Sequence, residues 1–488
     1  MATSKQVVRE LNSPLRLEVS ERKLILRAGD LLLITAGILG ALAFWTPIAM
    51  LPLDAMLVRD QLLWIALISI GWIGWLSIND LYDLRRAAQV GLTVRRIALG
   101  GLVVGILYLI YFFLSATPLT ALGLTDLSAG GTPLRLAPAV AILGSTLLLI
   151  LWRAGYAMAL GGPHARRRVL ILGAGNAGST IAGALRGHAV FDLVGFIDDD
   201  TQKVGTKVCD TPVITDHRAM INVVEDRAID EIVVAISEQV KGSLFQAIMD
   251  CHERGVTVTP MPLLYEQLTG KVAVEHIGSQ WYVALPLESH PFGALHRLGK
   301  RALDFVCGLL LGVVFLVTLP LVALAIKLDS SGPVFYTQER MGLHGKPFRV
   351  KKYRSMVQDA ERDGQAKWAT KNDDRITRVG RFIRKTRIDE LPQVWNIIKG
   401  EMSMVGPRPE RPQFIEKLQR QIPFYRTRLA AKPGLTGWAQ VSYGYGATVE
   451  DAMIKLQYDL FYIKHQSLWF DLKIMLRTVA VVLKMKGQ

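Results

Sequence analysis

Val169-Leu170-Ile171-Leu172-Gly173-Ala174-Gly175-Asn176-Ala177-Gly178 decides the class of the soluble part of this chain. Its four leading apolar residues read as a strand buried on both faces. Gly173, Gly175 and Gly178 then form the G-x-G-x-x-G turn that joins such a strand to a helix. A second strand over 193–197 ends in Asp198-Asp199-Asp200, with Asp198 where a dinucleotide fold keeps an acid, roughly 20 residues past the turn. Residues 231–236 and 256–258 read as further strands. The glycines let backbone amides approach a pyrophosphate at the helix N-terminus. Gly173, Gly175, Gly178 and Asp198 are therefore the candidate cofactor-binding residues of a Rossmann-like α/β domain over 165–275. A domain that kept the turn and binds no cofactor fits these residues equally well.

Upstream the character changes. The chain has 488 residues, half of them hydrophobic, with a mean hydropathy of +0.28. That length supports two or three domains, and that hydropathy suits a membrane part joined to soluble parts. Apolar stretches over 28–50, 61–78, 98–115 and 138–154 read as transmembrane helices, each near the ~20 residues that cross ~30 Å of hydrocarbon. Arg16, Arg22, Lys23 and Arg27 precede the first stretch, Arg85, Arg86, Arg95 and Arg96 separate the second and third, and Arg153, Arg166, Arg167 and Arg168 stand at and after the end of the fourth. The other two loops hold little beyond Arg59 and Arg135. Basic residues on alternate loops place an N-terminal arm (1–27) and everything after 155 on the cytoplasmic face of a four-helix bundle (28–155).

Lys and Arg total 57 against 42 Asp and Glu, a formal charge of +15. This balance suits cytoplasmic loops, anionic lipid head groups and phosphate-bearing substrates. No motif supports nucleic-acid binding. Cys209, Cys251 and Cys307 are the three cysteines, too widely spaced for a C-x-x-C pair, so neither a disulfide framework nor a zinc site is expected.

A fifth apolar segment, 303–326, is long enough to span. Lys300 and Arg301 precede it, Lys327 follows it, and Pro320 interrupts it. Basic ends and an internal proline fit a helix-break-helix that enters one leaflet and returns. A straight span remains open, although it would strand the C-terminal third across the membrane.

After a linker over 276–298, residues 299–488 carry the densest charge pattern: Arg384-Lys385-Thr386-Arg387-Ile388-Asp389-Glu390-Leu391-Pro392-Gln393. Leu391, Val394, Trp395 and Ile398 keep helical spacing, so Asp389 and Glu390 fall at a helix N-terminus and Pro392 in its first turn. A phosphate arriving there meets free amides, the positive end of the dipole and the cations Arg384, Lys385 and Arg387. Two adjacent acids can divide labour, one attacking and the other holding a divalent cation. Taken alone, an acid in Asp389's position is more often a helix cap.

The region from about 298 onward resembles the bacterial sugar transferase domain of the polyprenyl-phosphate hexose-1-phosphate transferases, the monotopic phosphoglycosyl transferases. The likeness rests on ordered blocks: Lys300-Arg301-Ala302-Leu303-Asp304, Gly332 to Gly342, Lys352-Tyr353-Arg354-Ser355-Met356, Asp389 to Gln393, Lys399-Gly400-Glu401-Met402-Ser403, Val405-Gly406-Pro407-Arg408-Pro409 and Lys432 to Gly437. The preceding four spans and Rossmann-like domain are similar to those of the large members. The fold so implied is a multidomain membrane α/β protein: a transmembrane bundle, a Rossmann-like domain, and a re-entrant helix with an α/β catalytic domain. The resemblance implies Asp389 as nucleophile on a UDP-sugar, expelling UMP, and Glu390 as a holder of Mg²⁺. It also implies Arg384, Arg387 and Arg408, with Lys352 and Arg354, as substrate-binding residues. Undecaprenyl phosphate would accept the sugar phosphate at a bacterial inner membrane, feeding exopolysaccharide, capsule or O-antigen assembly, and the extra domains are compatible with a homodimer.

Two rival readings fit the sequence less well. A membrane-anchored nucleotide-sugar dehydratase or epimerase needs a Tyr-x-x-x-Lys pair, which the chain lacks. A sensor with an inactive transferase domain has no need of Asp389-Glu390 and the cations around them.

Overall fold

The first helices are apolar on every side rather than along one stripe, the pattern of helices packed in a bundle and bathed in lipid. In the computed structural model they are α1 (Val19–Ile48), α2 (Leu62–Ile78), α3 (Val90–Ser115) and α4 (Ala137–Leu160). Ile34, Leu42, Trp64, Ile68, Trp72, Val104 and Leu149 form their shared interior. Leu32, Phe44, Ile70, Leu102 and Leu143 face outward, a costly exposure in water that hydrocarbon relieves. Val19–Pro47, Val90–Phe112 and Ala137–Leu160 are long and apolar enough to cross a membrane, and Leu62–Ile78 is a shorter apolar helix of 17 residues. α1 begins at Val19, not at 28, because hydropathy marks the apolar run and not the point where backbone hydrogen bonding stops. One buried ion pair pins the bundle. Arg153 of α4 donates from Nε to Oδ1 of Asp30 on α1 at 3.0 Å and from Nη1 to the carbonyl of Leu81 at 2.5 Å.

The structure describes residues 19–48, 61–115, 137–160, 162, 166–188, 190–236, 242–276, 293–357, 373–444, 446 and 448–483. It falls into two units: 1–235 with 240–259, and 236–239 with 260–488. Arg16, Arg59 and Arg135, and most of the expected 276–298 linker, lie outside the described residues.

In the first unit the bundle is followed by a six-stranded sheet built from β1 (Arg167–Leu172), β2 (Phe191–Ile197), β3 (Lys207–Val208), β4 (Thr211–Thr215), β5 (Glu231–Val234) and β6 (Thr257–Pro260). The strand order is β3-β4-β2-β1-β5-β6, with β1 parallel to β2 and β5, and β2 parallel to β4. Helices α5 (Asn176–Leu185), α6 (Met220–Asp226) and α7 (Gly242–Glu253) connect the strands. The order reverses at β1, so the glycine turn between β1 and α5 lies at the carboxyl ends of the strands, where open α/β sheets form their crevice.

The second unit starts at Pro260, before the boundary of 275 expected from sequence. After α8 (Met261–Thr269), Val272 and Val274 are buried with Ile415, Leu418 and Leu456 of the C-terminal domain. Then comes α9 (Gly293–Asp329), 37 residues helical throughout, including Pro320. The expected break is therefore not a gap in the helix. A proline removes one hydrogen bond, while Phe315 on one side of it and Val322 and Ile326 on the other bury against Tyr353, Ile383 and Val394.

Beyond α9 the chain forms the antiparallel hairpin β7 (Phe335–Met341) and β8 (Pro347–Tyr353), α10 (Arg378–Lys385), a 3-10 turn over Ile388–Gln393 and α11 (Val394–Lys399). β9 (Ser403–Val405) pairs in parallel with β10 (Gly434–Thr436), and α12 (Pro412–Gln419) lies between them in sequence. The chain then runs through α13 (Trp438–Ser442), α14 (Val449–Lys464) and α15 (Leu468–Leu483).

Candidate active site

Asp389 and Glu390 lie in the first turn of the 3-10 segment, both almost fully buried. The turn is entered through Arg387, a non-glycine residue at φ +61°. This left-handed, strained conformation ends α10 and redirects the chain. Tyr353 and Ile383 pack against Val394 beneath it, so β8, α10 and α11 fix its position from three sides.

Glu390 is the electrostatic hub. Its Oε1 accepts from Arg408 Nη2 at 2.8 Å and Lys352 Nζ at 3.0 Å, and Arg387 Nη1 stands 3.6 Å from Oε2. Burial by itself would raise its pKa, but Arg408, Lys352 and Arg387 outweigh burial and hold the carboxyl well below its ordinary range. Asp389 moves the other way. Burial, reinforced by the neighbouring Glu390 charge, pushes it up to about 6 against the pull of Lys352, Arg384 and Arg387. Its Oδ1 is buried with no hydrogen-bond partner among the described residues. Two consecutive carboxyls thus differ sharply: one is neutralised by cations, and the other is left with an unsatisfied oxygen.

Of the residues anticipated from sequence, Lys352, Arg387 and Arg408 touch Glu390, and Arg384 on the last turn of α10 acts on Asp389 through its charge. Arg354 is spent elsewhere. Its guanidinium donates to the carbonyls of Ser330 and Ser331 at 2.7 and 2.8 Å, closing the turn after α9. In the first unit, Asp198 bonds back into the glycine turn. Its Oδ2 accepts from the Ala174 amide at 2.7 Å and its Oδ1 from Asp200 N at 2.9 Å. Its pKa is lowered, because those amides and Lys203 outweigh its partial burial. A Cβ at Gly178 would strike the carbonyl of Gly173, so this glycine allows the close helix–turn approach.

Sequence reasoning missed a layer of positioning residues. Arg428 donates from Nη2 to the Arg408 carbonyl at 3.0 Å, pairs with Asp459 at 2.8 Å and reaches the Tyr425 hydroxyl at 2.8 Å. Arg340 donates to the Pro409 carbonyl at 3.0 Å. Asn396 accepts from Lys351 N and donates to the Arg349 carbonyl, tying α11 to the strand that carries Lys352. The opening basic-acidic block anchors α9. Lys300 donates to Asp471, Tyr462 and the Val405 carbonyl, Arg301 to the Ile397 and Ile398 carbonyls, and Asp304 accepts from Ser403 and Met404 N. Arg340 and Asn396 sit in or beside quoted blocks, whereas Arg428 and Asp459 carry no local signal.

A magnesium ion bound with a diphosphate commonly takes only one or two protein carboxylates, substrate oxygens and water completing its octahedron. Among the described residues no cluster of three His, Cys, Asp or Glu is poised to hold a metal alone. The orphaned Asp389 Oδ1 beside Glu390 fits that sparse donor set.

The sequence model described as "bacterial sugar transferase" matches residues 295–485, and one described as "CoA-binding domain" matches 77–262. The chain is similar to a UDP-N-acetylgalactosamine-undecaprenyl-phosphate N-acetylgalactosaminephosphotransferase of Aeromonas hydrophila, 40% identical over 48% of this chain and 54% of the relative. A UDP-glucose:undecaprenyl-phosphate glucose-1-phosphate transferase of Escherichia coli is 44% identical over 40% and 42%. The enzyme of that name from Caulobacter vibrioides is 46% identical over 40% of this chain and 76% of the relative. The chain spans about half the length of the first two relatives. It belongs to the bacterial sugar transferase family.

Proposed function

We propose that the chain transfers a hexose-1-phosphate from a UDP-sugar to undecaprenyl phosphate, with Asp389 as nucleophile. The observation that carries this reading is the contrast between the two carboxyls: Glu390 bound by Lys352, Arg387 and Arg408, and Asp389 with an unsatisfied Oδ1. Ionised Asp389 attacks the phosphorus that bears the sugar, the phosphoanhydride breaks, and UMP leaves. The lipid phosphate then attacks the same phosphorus and frees Asp389, giving the diphosphate-linked sugar. Each step exchanges one activated phosphate linkage for another, so the protein's task is alignment and charge neutralisation. Arg384, Arg387, Arg408 and Lys352 provide that charge. Mg²⁺ held beside Asp389 and Glu390 would neutralise the diphosphate further.

The setting of α9 supports a monotopic, one-leaflet placement on the cytoplasmic face. Lys300 near its start and Asp329 at its end are both bonded to the same unit, to Asp471 at 2.7 Å and to the Val379 amide at 2.8 Å. A crossing would separate those ends by ~30 Å of hydrocarbon. The parallel strand order and the glycine turn support reading the first unit's sheet as Rossmann-like. A ribose there would have to displace the Ala174 amide from Asp198.

The test is UMP release from UDP-glucose and UDP-N-acetylgalactosamine, the sugars in the relatives' names, and from UDP-galactose, with Mg²⁺ and undecaprenyl phosphate. UMP from at least one sugar is expected, together with a phosphosugar adduct on Asp389 in the absence of lipid, and neither is expected in Asp389→Asn. A folded protein releasing no UMP from any of the three would overturn the assignment.

A further inference from the structure

The transferase reading uses nothing in the first unit's sheet, yet three side chains there stand in a line. Asp199 follows β2, His217 follows β4, and Ser243 lies in the first turn of α7. Asp199 Oδ1 is 2.7 Å from His217 Nδ1, and His217 Nε2 is 2.9 Å from the Ser243 hydroxyl. The same Asp199 oxygen also accepts the His217 backbone amide at 3.0 Å, so the residue is gripped at two points and its ring orientation is set. With Nδ1–H donated to the carboxylate, Nε2 presents a lone pair to the serine proton. This is the order of roles in an acid–base–nucleophile triad, which is recognised by geometry and not by sequence order.

The surroundings suit a nucleophile. Ser243 is exposed, and Gly242 just before it turns the chain at φ +58°. The first-turn amides of a helix have no acceptors of their own and can receive a developing oxyanion. Asp198, adjacent to Asp199, bonds the Ala174 amide of the glycine turn, so a molecule seated on that turn would lie beside the triad.

We propose that Ser243, His217 and Asp199 form a second reactive site, an acyl-transfer nucleophile for activated esters or thioesters, separate from the Asp389 chemistry. Ser243 Oγ attacks the acyl carbonyl carbon as its proton passes to His217 Nε2. The leaving alcohol or thiol departs with that proton, and an acyl ester remains on Oγ. Water, giving its proton to the same nitrogen, then releases the acid and restores the serine. Asp199 is half exposed, so its charge is screened and turnover is slow compared with a buried triad.

The experiment treats the full chain in detergent with a fluorophosphonate ester, locates the adduct by peptide mass spectrometry, and follows p-nitrophenyl acetate hydrolysis. The expected result is a phosphonyl group on Ser243, formed ~10²-fold more slowly in His217→Gln and several-fold more slowly in Asp199→Asn. Ester hydrolysis is lost in Ser243→Ala, a variant that removes one exposed hydroxyl and keeps the parent melting midpoint. No adduct on Ser243, or equal labelling of the parent and a folded Asp199→Asn, overturns the proposal and leaves the line as a structural link between loops.

Discussion

Lys352 and Arg408 meet at one atom, Oε1 of Glu390, at 3.0 and 2.8 Å. One arrives on a strand, the other from a turn bounded by Pro407 and Pro409. Their convergence holds Glu390 ionised while its neighbour carries a raised pKa, and most of the expected behaviour of the site follows from that division.

UMP release should fall as pH drops through about 6, because Asp389, the proposed nucleophile, must be ionised to attack. In Glu390→Gln the neighbouring negative charge is gone and the acid limb should move to lower pH by roughly one unit, with a reduced plateau rate. Initial rates between pH 5 and 8 check both. An acid limb that stays in place in the variant would contradict the coupling.

Asp389 also has a stability consequence. Its folded pKa lies above the ordinary ~3.9, so the folded state binds more protons between those values and stability falls as pH rises through that window. The penalty is fully present above about 6. Asp389→Asn should therefore be inactive and more stable than the parent at pH 8, by roughly 2 kcal/mol, with the gap closing toward pH 4. Thermal midpoints at the two pH values measure it.

Arg428 holds the backbone of Arg408, one of the proposed substrate-binding residues. Arg428→Met frees the Arg408 carbonyl and leaves Asp459 buried without its cation, which should cost roughly 3 kcal/mol or more in stability. Arg428→Lys keeps the charge but cannot serve Tyr425, Asp459 and Arg408 together. It should fold, with a KM for the UDP-sugar raised about tenfold.

Gly406 tests the approach of β9 to β10. A Cβ there would land on the Lys432 carbonyl, which is backbone and cannot turn aside. Gly406→Ala should destabilise by roughly 1–3 kcal/mol and, by shifting Pro407-Arg408-Pro409, lower kcat/KM by more than the folded fraction accounts for. Melting curves set beside steady-state kinetics separate the two effects.

Much of this was legible in the sequence because it is local. The glycine turn, the apolar helices and Asp389-Glu390 in a first helical turn each depend on residues within about ten positions. Contacts between distant residues set what local sequence does not. Pro320 lies inside α9 without ending it, and Phe315 before it and Val322 and Ile326 after it join one cluster. Arg354, which the resemblance groups with the substrate-binding residues, closes a turn with Ser330 and Ser331. Val272 and Val274 belong with Ile415 and Leu456, not with the sheet.

By itself the sequence determined the strand–turn–helix at 169–178, the membrane-length helices and the acidic pair among cations, since periodicity and charge are properties of the chain. Only the tertiary structure decided which cations hold Glu390, which oxygen of Asp389 is left without a hydrogen bond, and that Arg428 stands behind Arg408. Charge interactions and desolvation depend on distance through space, and Lys352, Glu390, Arg408, Arg428 and Asp459 come together only when the chain has folded.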